Sequence, residues 1–409
     1  MKNFGKGLVA TAALAACFGA GFGWRDIRNG NFPSFDGARG QQVPLDQVFK
    51  NTYYKILSSS RSAVEPNELK YAAMSGLMAS LGDPHTIFLE PKIADDFNID
   101  VKAHFGGIGA RLGGDSLGAK LVVIFAASPA DRAGLKVGDI VTGVDGHSVV
   151  GLDTDEIVGK IRGKEGTTVR LLVVRQGVSK PIALTVHRAQ ITTPTVTSEM
   201  YPGGFGRLYV TTFSEPTPEQ FDRELTKLEK QAMKGLIIDM RDNPGGLLES
   251  ADVMLSLFAE NKVVVKTKSR GGREEVLMTY TGLAKPRKYP IVVLIDENSA
   301  SASEIFAGAM RDYHMATLVG DHSYGKSTVQ QTKNLVDGAT AKFTIARYYL
   351  PGGEDIARKV DEYGAYVSGG LAPQVKSLLD PDKIAIYGDL KTDTQLQAAI
   401  QTLKSKLGH

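Results

Sequence analysis

The chain has 409 residues, 42% of them hydrophobic and 23% charged, a composition typical of a globular protein with roughly two to four domains. Its net charge of +3 comes from mixed charges without a basic stripe, which argues against a nucleic-acid-binding protein. Cys17 is the one cysteine, so intrachain disulfides and cysteine-based zinc sites are excluded. The histidines have no metal-ligand spacing, and we expect neither a metal nor an organic cofactor.

The N-terminal segment predicts export. Two lysines precede an uncharged, apolar run over residues 7–24, and two arginines follow it. We interpret residues 1–24 as a signal segment or, if uncleaved, a membrane anchor. Cys17 ends a Leu-Ala-Ala-Cys sequence that resembles the bacterial lipoprotein box, so it is either a lipidation site or one more small residue of the apolar run. In both cases we expect the protein outside the cytoplasm, periplasmic or in the cell envelope, and associated with a membrane.

The next two segments are a linker and a helical region. Residues 25–42 are rich in Gly, Pro, Asn and Ser, which is typical of a linker. Residues 43–102 carry apolar residues at helical spacing and end in the turn sequence Asp-Pro-His85 followed by an extended piece. We interpret His85 as a turn residue rather than a catalytic one, because turn-forming residues surround it.

Residues 103–190 predict a separate, mainly β domain. Short strand-like runs alternate with two segments of helical character, Ser128–Leu135 and Asp153–Ile161. A glycine-rich segment over residues 107–110 opens the domain, and glycines suit a tight turn that approaches a ligand closely.

From residue 191 to residue 409, predicted strands and helices alternate, which indicates α/β layering. A buried strand over Gly235–Met240 runs into Arg-Asp-Asn-Pro-Gly-Gly, a glycine-rich junction before a helix. The overall prediction is a multidomain α/β plus β protein.

One stretch of the α/β region suggests catalysis. A buried strand, Ile291–Ile295, is followed by a turn with three serines and then a helix over Ser303–Arg311. A second strand, Ala316–Val319, leads into a loop that carries Lys326. A serine and a neutral lysine can form a nucleophile–base dyad, provided that burial lowers the pKa of the lysine. The residues alone leave open the alternative of capping serines and a solvated loop charge.

The same lysine also completes a nucleotide-binding pattern. Residues 320–327 match Gly-x-x-x-x-Gly-Lys-Ser, but that pattern binds phosphate only where a helix follows. The sequence instead predicts a hairpin around Asp337-Gly338, so we disfavour a nucleotide-driven enzyme.

Two separated motifs resemble the active-site signature of the carboxyl-terminal processing, or tail-specific, serine proteases. They are Asn-Ser-Ala-Ser-Ala-Ser-Glu-Ile over residues 298–305 and Tyr-Gly-Lys-Ser-Thr-Val-Gln over residues 324–330. The resemblance implies that Ser301 is the nucleophile, Lys326 the general base, and Gln330 the residue that orients the lysine. The spacings between these residues, 25 and 4, also match the family pattern.

Other parts of the chain extend the resemblance. The Arg-x-Asn-x-Gly-Gly phrase implies an oxyanion hole formed by the N–H of Gly245 or Gly246 together with that of Ala302. The phrase Ser-Pro-Ala-x-x-Ala-Gly-Leu-x-x-Gly-Asp-x-Val over residues 128–141 makes the domain over residues 103–190 resemble a PDZ domain, which implies that residues 107–110 bind a terminal carboxylate.

The carboxylate loop so implied consists of Gly107, Ile108, Gly109 and Ala110. The family resemblance further suggests that Arg162 couples peptide docking to the protease core, although a solvated charge is the simpler interpretation.

The sequence therefore predicts a PDZ-containing serine endopeptidase that cleaves through an acyl-enzyme after recognising protein C-termini. It departs from the family in two ways, by a longer stretch over residues 354–370 and by Leu-Ala-Pro-Gln over residues 371–374, where the family often has Gly-Ile-x-Pro-Asp. The alternative is a non-catalytic PDZ adaptor on a protease-like scaffold, and a histidine-based triad with His314 or His322 is a further one. Family analogy also suggests that the protein forms homo-oligomers through the N-terminal helices.

Overall fold

The computed structural model describes residues 44–380 and 385–408. The predicted leader and linker, including Cys17, lie outside the described residues. Within the described ranges, no helix combines the length and apolar character that crossing a membrane requires. Contacts divide the chain into a unit of residues 1–73 and a unit of residues 74–409.

The described part of the first unit is helical, as predicted. It contains helix α1 (Leu45–Ser59) and the beginning of α2 (Pro66–Ala79). The Tyr53 hydroxyl donates a hydrogen bond of 2.8 Å to the carbonyl of Pro66 and so joins the two helices. Phe49 and neighbouring apolar side chains of α1 remain exposed.

The second unit begins with a short strand and a helix and continues into a β domain. In chain order these elements are β1 (Ile87–Leu89), α3 (Pro91–Lys102), β2 (His104–Gly107), β3 (Ala110–Asp115), β4 (Gly118–Ile124), α4 (Pro129–Arg132), β5 (Ile140–Val144), β6 (His147–Ser148), α5 (Thr154–Ile161), β7 (Thr168–Val174), β8 (Ile182–His187) and β9 (Ala189–Thr192). Strands β3, β4, β5, β7 and β8 pair in that order, β6 pairs with β5, and β2 pairs with β9. Helix α4 is shorter than predicted because Gly134, with a φ of 80°, ends it in the left-handed conformation.

The remaining residues form an α/β region, also as predicted. Its elements are β10 (Val196–Tyr201), β11 (Phe205–Val210), α6 (Thr217–Lys230), β12 (Gly235–Asp239), α7 (Leu248–Ser256), β13 (Val263–Ser269), β14 (Glu274–Met278), β15 (Ile291–Ile295), α8 (Ala302–Asp312), β16 (Thr317–Gly320), β17 (Thr328–Asn334), β18 (Thr340–Tyr349), β19 (Lys359–Val360), β20 (Tyr366–Ser368), β21 (Val375–Lys376) and α9 (Thr394–Leu407).

The central sheet has the strand order β10-β11-β12-β15-β16-β21, parallel from β11 onward. Side chains alternate between the faces of a strand, so β15 contributes to two cores. Val293 packs in the core that contains Phe306 of α8, whereas Val292 packs in the core that contains Leu403 of α9. Both faces are therefore covered, which explains why the central strands are continuous apolar runs.

A second sheet has the order β1-β18-β13-β14, and β17 pairs with β18. Strands β17 and β18 form the predicted hairpin directly after Lys326. A strand rather than a helix therefore follows the Gly-Lys-Ser sequence, which removes the structural basis for phosphate binding there.

The longer stretch over residues 354–370 contains the small hairpin β19–β20. It is attached to the lysine loop, since the Arg358 N–H donates to the carbonyl of Gly325 at 2.8 Å. The Arg358 guanidinium also lies over the rings of Tyr324 and Tyr366, 5.0 and 5.2 Å from their centroids. This departure from the family pattern is thus packed against the candidate site.

Candidate active site

The three serines of the turn between β15 and α8 have different environments. Ser299 and Ser303 are fully buried, and their hydroxyls donate to the carbonyls of Met240 and Asn243 at 2.8 and 3.0 Å. Ser301 is partly exposed and has a φ of 57° and a ψ of −115°, a conformation that non-glycine residues rarely adopt. Such strain concentrates at functional sites, which distinguishes Ser301 as the candidate nucleophile.

A buried carboxylate links the serine turn to the lysine loop, alongside a hydrogen bond of 3.0 Å from the Tyr324 N–H to the carbonyl of Ser299. The Oε2 of Glu304 accepts hydrogen bonds from the N–H groups of Ser301 and Lys326, at 2.8 and 3.0 Å. Its Oε1 accepts from the Ser323 hydroxyl at 2.5 Å and from the Gly325 N–H at 2.6 Å. The amides of Ser301 and Lys326 consequently lie within about 6 Å of each other, since both reach one oxygen at hydrogen-bonding distance.

Lys326 is half-buried, and its ionisation is altered accordingly. Burial lowers the pKa of its amine to about 8, and the positive charge of Lys342 acts in the same direction. The negative charge of Glu304 opposes both effects. A usable fraction of the amine is therefore neutral near pH 8, which is the state that a general base requires.

The glycine-rich loop after β12 lies directly against Ser301. A Cβ on Gly245 would lie 2.6 Å from the carbonyl oxygen of Ala300 and 2.8 Å from the Cβ of Ser301, so only glycine fits there. The same point is 2.9 Å from the amide nitrogen of Ala302. Gly246 is equally constrained, because a Cβ there would lie 2.1 Å from the carbonyl oxygen of Phe213.

Asn243 fastens this loop to the serine turn. Its carbonyl accepts from the Ala300 N–H and the Ser303 hydroxyl, both at 3.0 Å. Its side-chain Oδ1 accepts from the Gly245 N–H at 2.9 Å. Of the two candidate oxyanion donors from this loop, Gly245 therefore already has an acceptor, whereas Gly246 has none among the described residues.

A buried charge network holds the start of the same loop. Arg241 is completely buried and donates to Asp239 and to Asp393, at the beginning of α9, with the shortest distance to each 2.7 Å. Tyr387 stacks on its guanidinium with a centroid distance of 4.0 Å. The last helix is thereby connected to the start of the loop that carries Gly245.

The predicted orienting residue, Gln330, lies on β17 and makes hydrogen bonds with threonines. Its Nε2 donates to the hydroxyls of Thr328 and Thr344, at 2.7 and 3.2 Å. The Thr344 hydroxyl in turn donates to the carboxylate of Asp83, in the Asp-Pro-His turn. Both amide hydrogens of Gln330 are thus used, which leaves its Oε1 as an acceptor.

Three of the seven histidines were considered as site residues, and they lie in three different places. The backbone N–H of His85 donates to the Asp83 carboxylate at 3.0 Å, and burial together with the charge of Lys326 lowers the pKa of its ring. His322 stacks on Tyr366 at a centroid distance of 4.0 Å, and its Nδ1 lies 3.1 Å from the carbonyl oxygen of Ser323. His314 is exposed just after α8. His85 is therefore the histidine that electrostatics connects with Lys326.

In the β domain, the loop of residues 107–110 borders a groove between β3 and α5. The cavity there has a volume of about 270 Å³ and is lined by apolar side chains such as Leu112, Phe125 and Val158. The Ile108 carbonyl accepts from the Ala130 N–H at 2.7 Å, which fixes the loop. A strand edge, a helix and a fixed glycine-rich loop form the type of site that accepts an extended peptide end.

Arg162 lies at the end of α5 and lines the same groove. Its guanidinium lies 4.6 Å from the ring centroid of Phe105, and its Nη1 is 3.6 Å from a carboxylate oxygen of Asp96 on α3. Its Nε is buried and has no hydrogen-bond partner in the described part of the chain. Arg162 is therefore packed between elements, unlike a solvated charge.

Comparison with known proteins agrees with this arrangement. Residues 204–376 match peptidase family S41, and residues 124–175 match the PDZ domain. The carboxy-terminal processing protease CtpA of Bacillus subtilis is 35% identical over 365 residues, which cover 86% of this chain and 75% of that protein. The chain belongs to the carboxy-terminal processing proteases.

A second relative of this protease is CtpB of Bacillus subtilis, which is 35% identical over 321 residues, covering 77% of this chain and 66% of that protein. A solved structure of the photosystem II D1 C-terminal processing protease aligns with 86% of this chain and 96% of its own, at 24% identity and a TM-score of 0.48. The predicted family, fold class and peptidase activity are confirmed by the family matches.

The sequence interpretation of this protease did not identify Glu304 or Asn243 as site residues. A signal for Glu304 was present, because Ser-x-x-Glu is the capping-box pattern in which the glutamate accepts the N–H of the capping serine. Asn243 is the asparagine of the Arg-x-Asn-x-Gly-Gly phrase, which was interpreted only for its glycines, and its contacts with residues 300 and 303 depend on the tertiary fold.

Proposed function

We propose that Ser301 and Lys326 are the catalytic dyad of this carboxy-terminal processing protease. The observation that carries the proposal is the shared acceptor, because one oxygen of Glu304 binds the backbone of both residues. The lowered pKa of Lys326, about 8, suits the amine to act as a general base.

In this mechanism the Ser301 hydroxyl gives its proton to the neutral Lys326 amine while Oγ attacks the substrate carbonyl carbon. The resulting ammonium gives that proton to the leaving amine as the peptide bond breaks, and an ester to Ser301 remains. Water then attacks the ester, with Lys326 again accepting and returning the proton. Gln330 fits the orienting role because its Nε2 donates to Thr328 and Thr344 and its Oε1 is an acceptor for the lysine amine.

The developing oxyanion requires donors beside Ser301. We assign the N–H groups of Ala302 and Gly246, with Gly245 as the alternative if its bond to Asn243 opens. Each such donor is usually worth roughly 3 kcal/mol of transition-state stabilisation.

We propose that the groove between β3 and α5 receives the C-terminus of a polypeptide substrate. Gly107, Ile108, Gly109 and Ala110 would present backbone N–H groups to the carboxylate, while the apolar lining would bind the last side chains. Arg162 would couple occupancy of the groove to the elements that lead into the core, a role supported by its packing on Phe105 and its proximity to Asp96.

We further propose that the protein acts outside the cytoplasm, in the periplasm or cell envelope, and is held at the membrane through residues 1–24 or through a lipid on Cys17. This proposal rests on the charge and hydropathy of the leader. Association of two copies through the exposed apolar side chains of α1 is a related proposal.

The dyad is tested by cleavage of an unfolded protein with an apolar C-terminus, comparing the parent with Ser301→Ala and Lys326→Ala. Lys333→Ala is the matched control, since Lys333 is an exposed lysine of β17. We expect both dyad variants to lose activity while the control retains it. Peptide binding by a parent that cleaves nothing would instead identify the protein as an adaptor, and activity in Ser301→Ala would reject the nucleophile.

A further inference from the structure

Glu304 is a buried charge with an unusually complete set of donors. Its side chain is fully buried, and its two oxygens accept four hydrogen bonds, three from backbone N–H groups and one from the Ser323 hydroxyl. An ionised carboxylate has acceptor sites for all four, whereas a protonated carboxyl group must use one oxygen as a donor. Since the three backbone N–H groups can only donate, the observed arrangement favours the anion.

The donors come from two segments that hold the two halves of the dyad. The Ser301 N–H belongs to the turn before α8, and the N–H groups of Gly325 and Lys326 belong to the loop after β16. The Tyr324 N–H also donates to the carbonyl of Ser299 at 3.0 Å, but a single oxygen of Glu304 binds the amides of Ser301 and Lys326 themselves. A displacement of either segment by about 1 Å would cost roughly 100-fold in rate, so the register between them is important to catalysis.

We propose that Glu304 is a positioning residue of the reaction, whose ionised carboxylate sets the distance between nucleophile and base. This inference rests on the proposed Ser301–Lys326 dyad. Glu304 transfers no proton to substrate; it holds the Ser301 amide and the Lys326 amide on one oxygen.

The charge of Glu304 also acts on the groups that face it. Lys326 lies on one side, and its ammonium is favoured by the carboxylate. Tyr348 of β18 lies on another, with its pKa raised well above the ordinary value by burial and by Glu304. The charges of Lys342 and Asp83 also act on the pKa of Lys326, which Lys342 lowers and Asp83 raises. Loss of the Glu304 charge should therefore lower the pKa of Lys326.

The test is the pH dependence of peptide cleavage by the full chain in the parent and in Glu304→Gln. Burial raises the pKa of Glu304 to about 7, so the parent needs one group deprotonated near pH 8 and a second near pH 7. We expect kcat/KM of the parent to fall tenfold per pH unit just below pH 8 and more steeply below pH 7. In Glu304→Gln we expect kcat to fall about 100-fold and KM to stay within about twofold. The acidic limb of its kcat/KM profile should then depend on one proton only, and it should lie at lower pH than in the parent.

Asp252→Asn is the matched control. Asp252 is a buried carboxylate of α7 whose pKa burial raises to about 6, and its side chain bonds Ser256 in the same helix rather than the dyad segments. We expect Asp252→Asn to show the same acidic limb of the kcat/KM profile as the parent. Replacing a buried carboxylate with a purely structural role would lower activity without moving the acidic limb of the kcat/KM profile.

The inference would be overturned if Glu304→Gln had the kcat of the parent and the acidic limb of its kcat/KM profile lay at the same pH. If Glu304→Gln does not fold, the pH profile of the parent decides. A kcat/KM of the parent that keeps falling only tenfold per pH unit below pH 7 would equally overturn the inference. Ser301→Ala is assayed alongside, because activity that survives in Ser301→Ala refutes the dyad itself rather than the role of Glu304.

Discussion

Replacing Asp393 tests the buried network that joins α9 to the strand end before Gly245. Asp393→Ala removes two charge-assisted hydrogen bonds to Arg241, at 2.8 and 2.7 Å, from a site where both side chains are completely buried. It also removes the acceptor that caps α9 at the Leu396 N–H and the acceptor of the Gly388 N–H, both at 2.9 Å.

The magnitude follows from these contacts. Breaking a buried ion pair usually costs about 3–5 kcal/mol, and losing a helix cap costs about 1 kcal/mol. Arg241 keeps its bonds to Asp239, which reduces the first contribution. We therefore expect Asp393→Ala to lower the free energy of unfolding by about 4 kcal/mol. Asp393→Asn, which retains an oxygen for the cap, should lower it by roughly half as much.

The effect should also depend on pH. Burial would raise the pKa of Asp393, but the hydrogen bonds and charge of Arg241 outweigh it and hold the pKa below the ordinary value of 3.8. A depressed pKa contributes stability above the unfolded-state value, and that contribution is lost as the pH falls through the folded-state value. The difference between parent and Asp393→Ala should therefore shrink below about pH 4.

The assay is urea unfolding followed by circular dichroism at neutral and acidic pH, with the midpoint and slope fitted for each variant. Asp389→Ala is the control, because Asp389 accepts only local hydrogen bonds in the preceding turn. A loss below about 1 kcal/mol for Asp393→Ala, or a loss equal to that of the control, would refute the assignment of the network as a major contributor to stability.

Three further outcomes are expected. Gly245→Ala should lower kcat by at least about 100-fold in steady-state cleavage assays, since its Cβ would displace Ser301 and φ there is 97°. Lys326→Arg should be inactive between pH 6 and about 10 in the same assay, because a guanidinium does not lose its proton in that range. Asp139→Ala should destabilise the β domain by about 2–3 kcal/mol in thermal unfolding, because Asp139 is buried and binds Arg175 through two bonds of 2.7 and 2.8 Å.

The sequence predicted the parts of the site that depend on short motifs. Ser301 and Lys326 each lie in a short motif of consecutive residues. The strand–turn–helix pattern around Ser301 follows from apolar periodicity. The structure places the backbone amides of both residues on one carboxylate. The roles assigned to these residues remain predictions.

Other features could not be predicted, because they arise from contacts between distant segments. Glu304 becomes a four-fold acceptor only when residues 323–326 fold back over α8. Arg162 resembles a solvated charge in sequence, and its packing on Phe105 depends on how β2 passes the end of α5. The length of α4 depended on the conformation of one glycine, which periodicity does not report.

The pairing of β2 with β9 has a consequence for how such proteases diversify. These strands carry the chain into and out of the PDZ domain, with His104 opposite Thr192 and Gly107 opposite Ala189. The chain therefore enters and leaves the domain at two positions that are neighbours in space. The core of the domain is a separate cluster of buried side chains. Insertions with neighbouring ends are readily exchanged. A different peptide-binding module could be grafted at this strand pair, giving the same peptidase a new set of substrates.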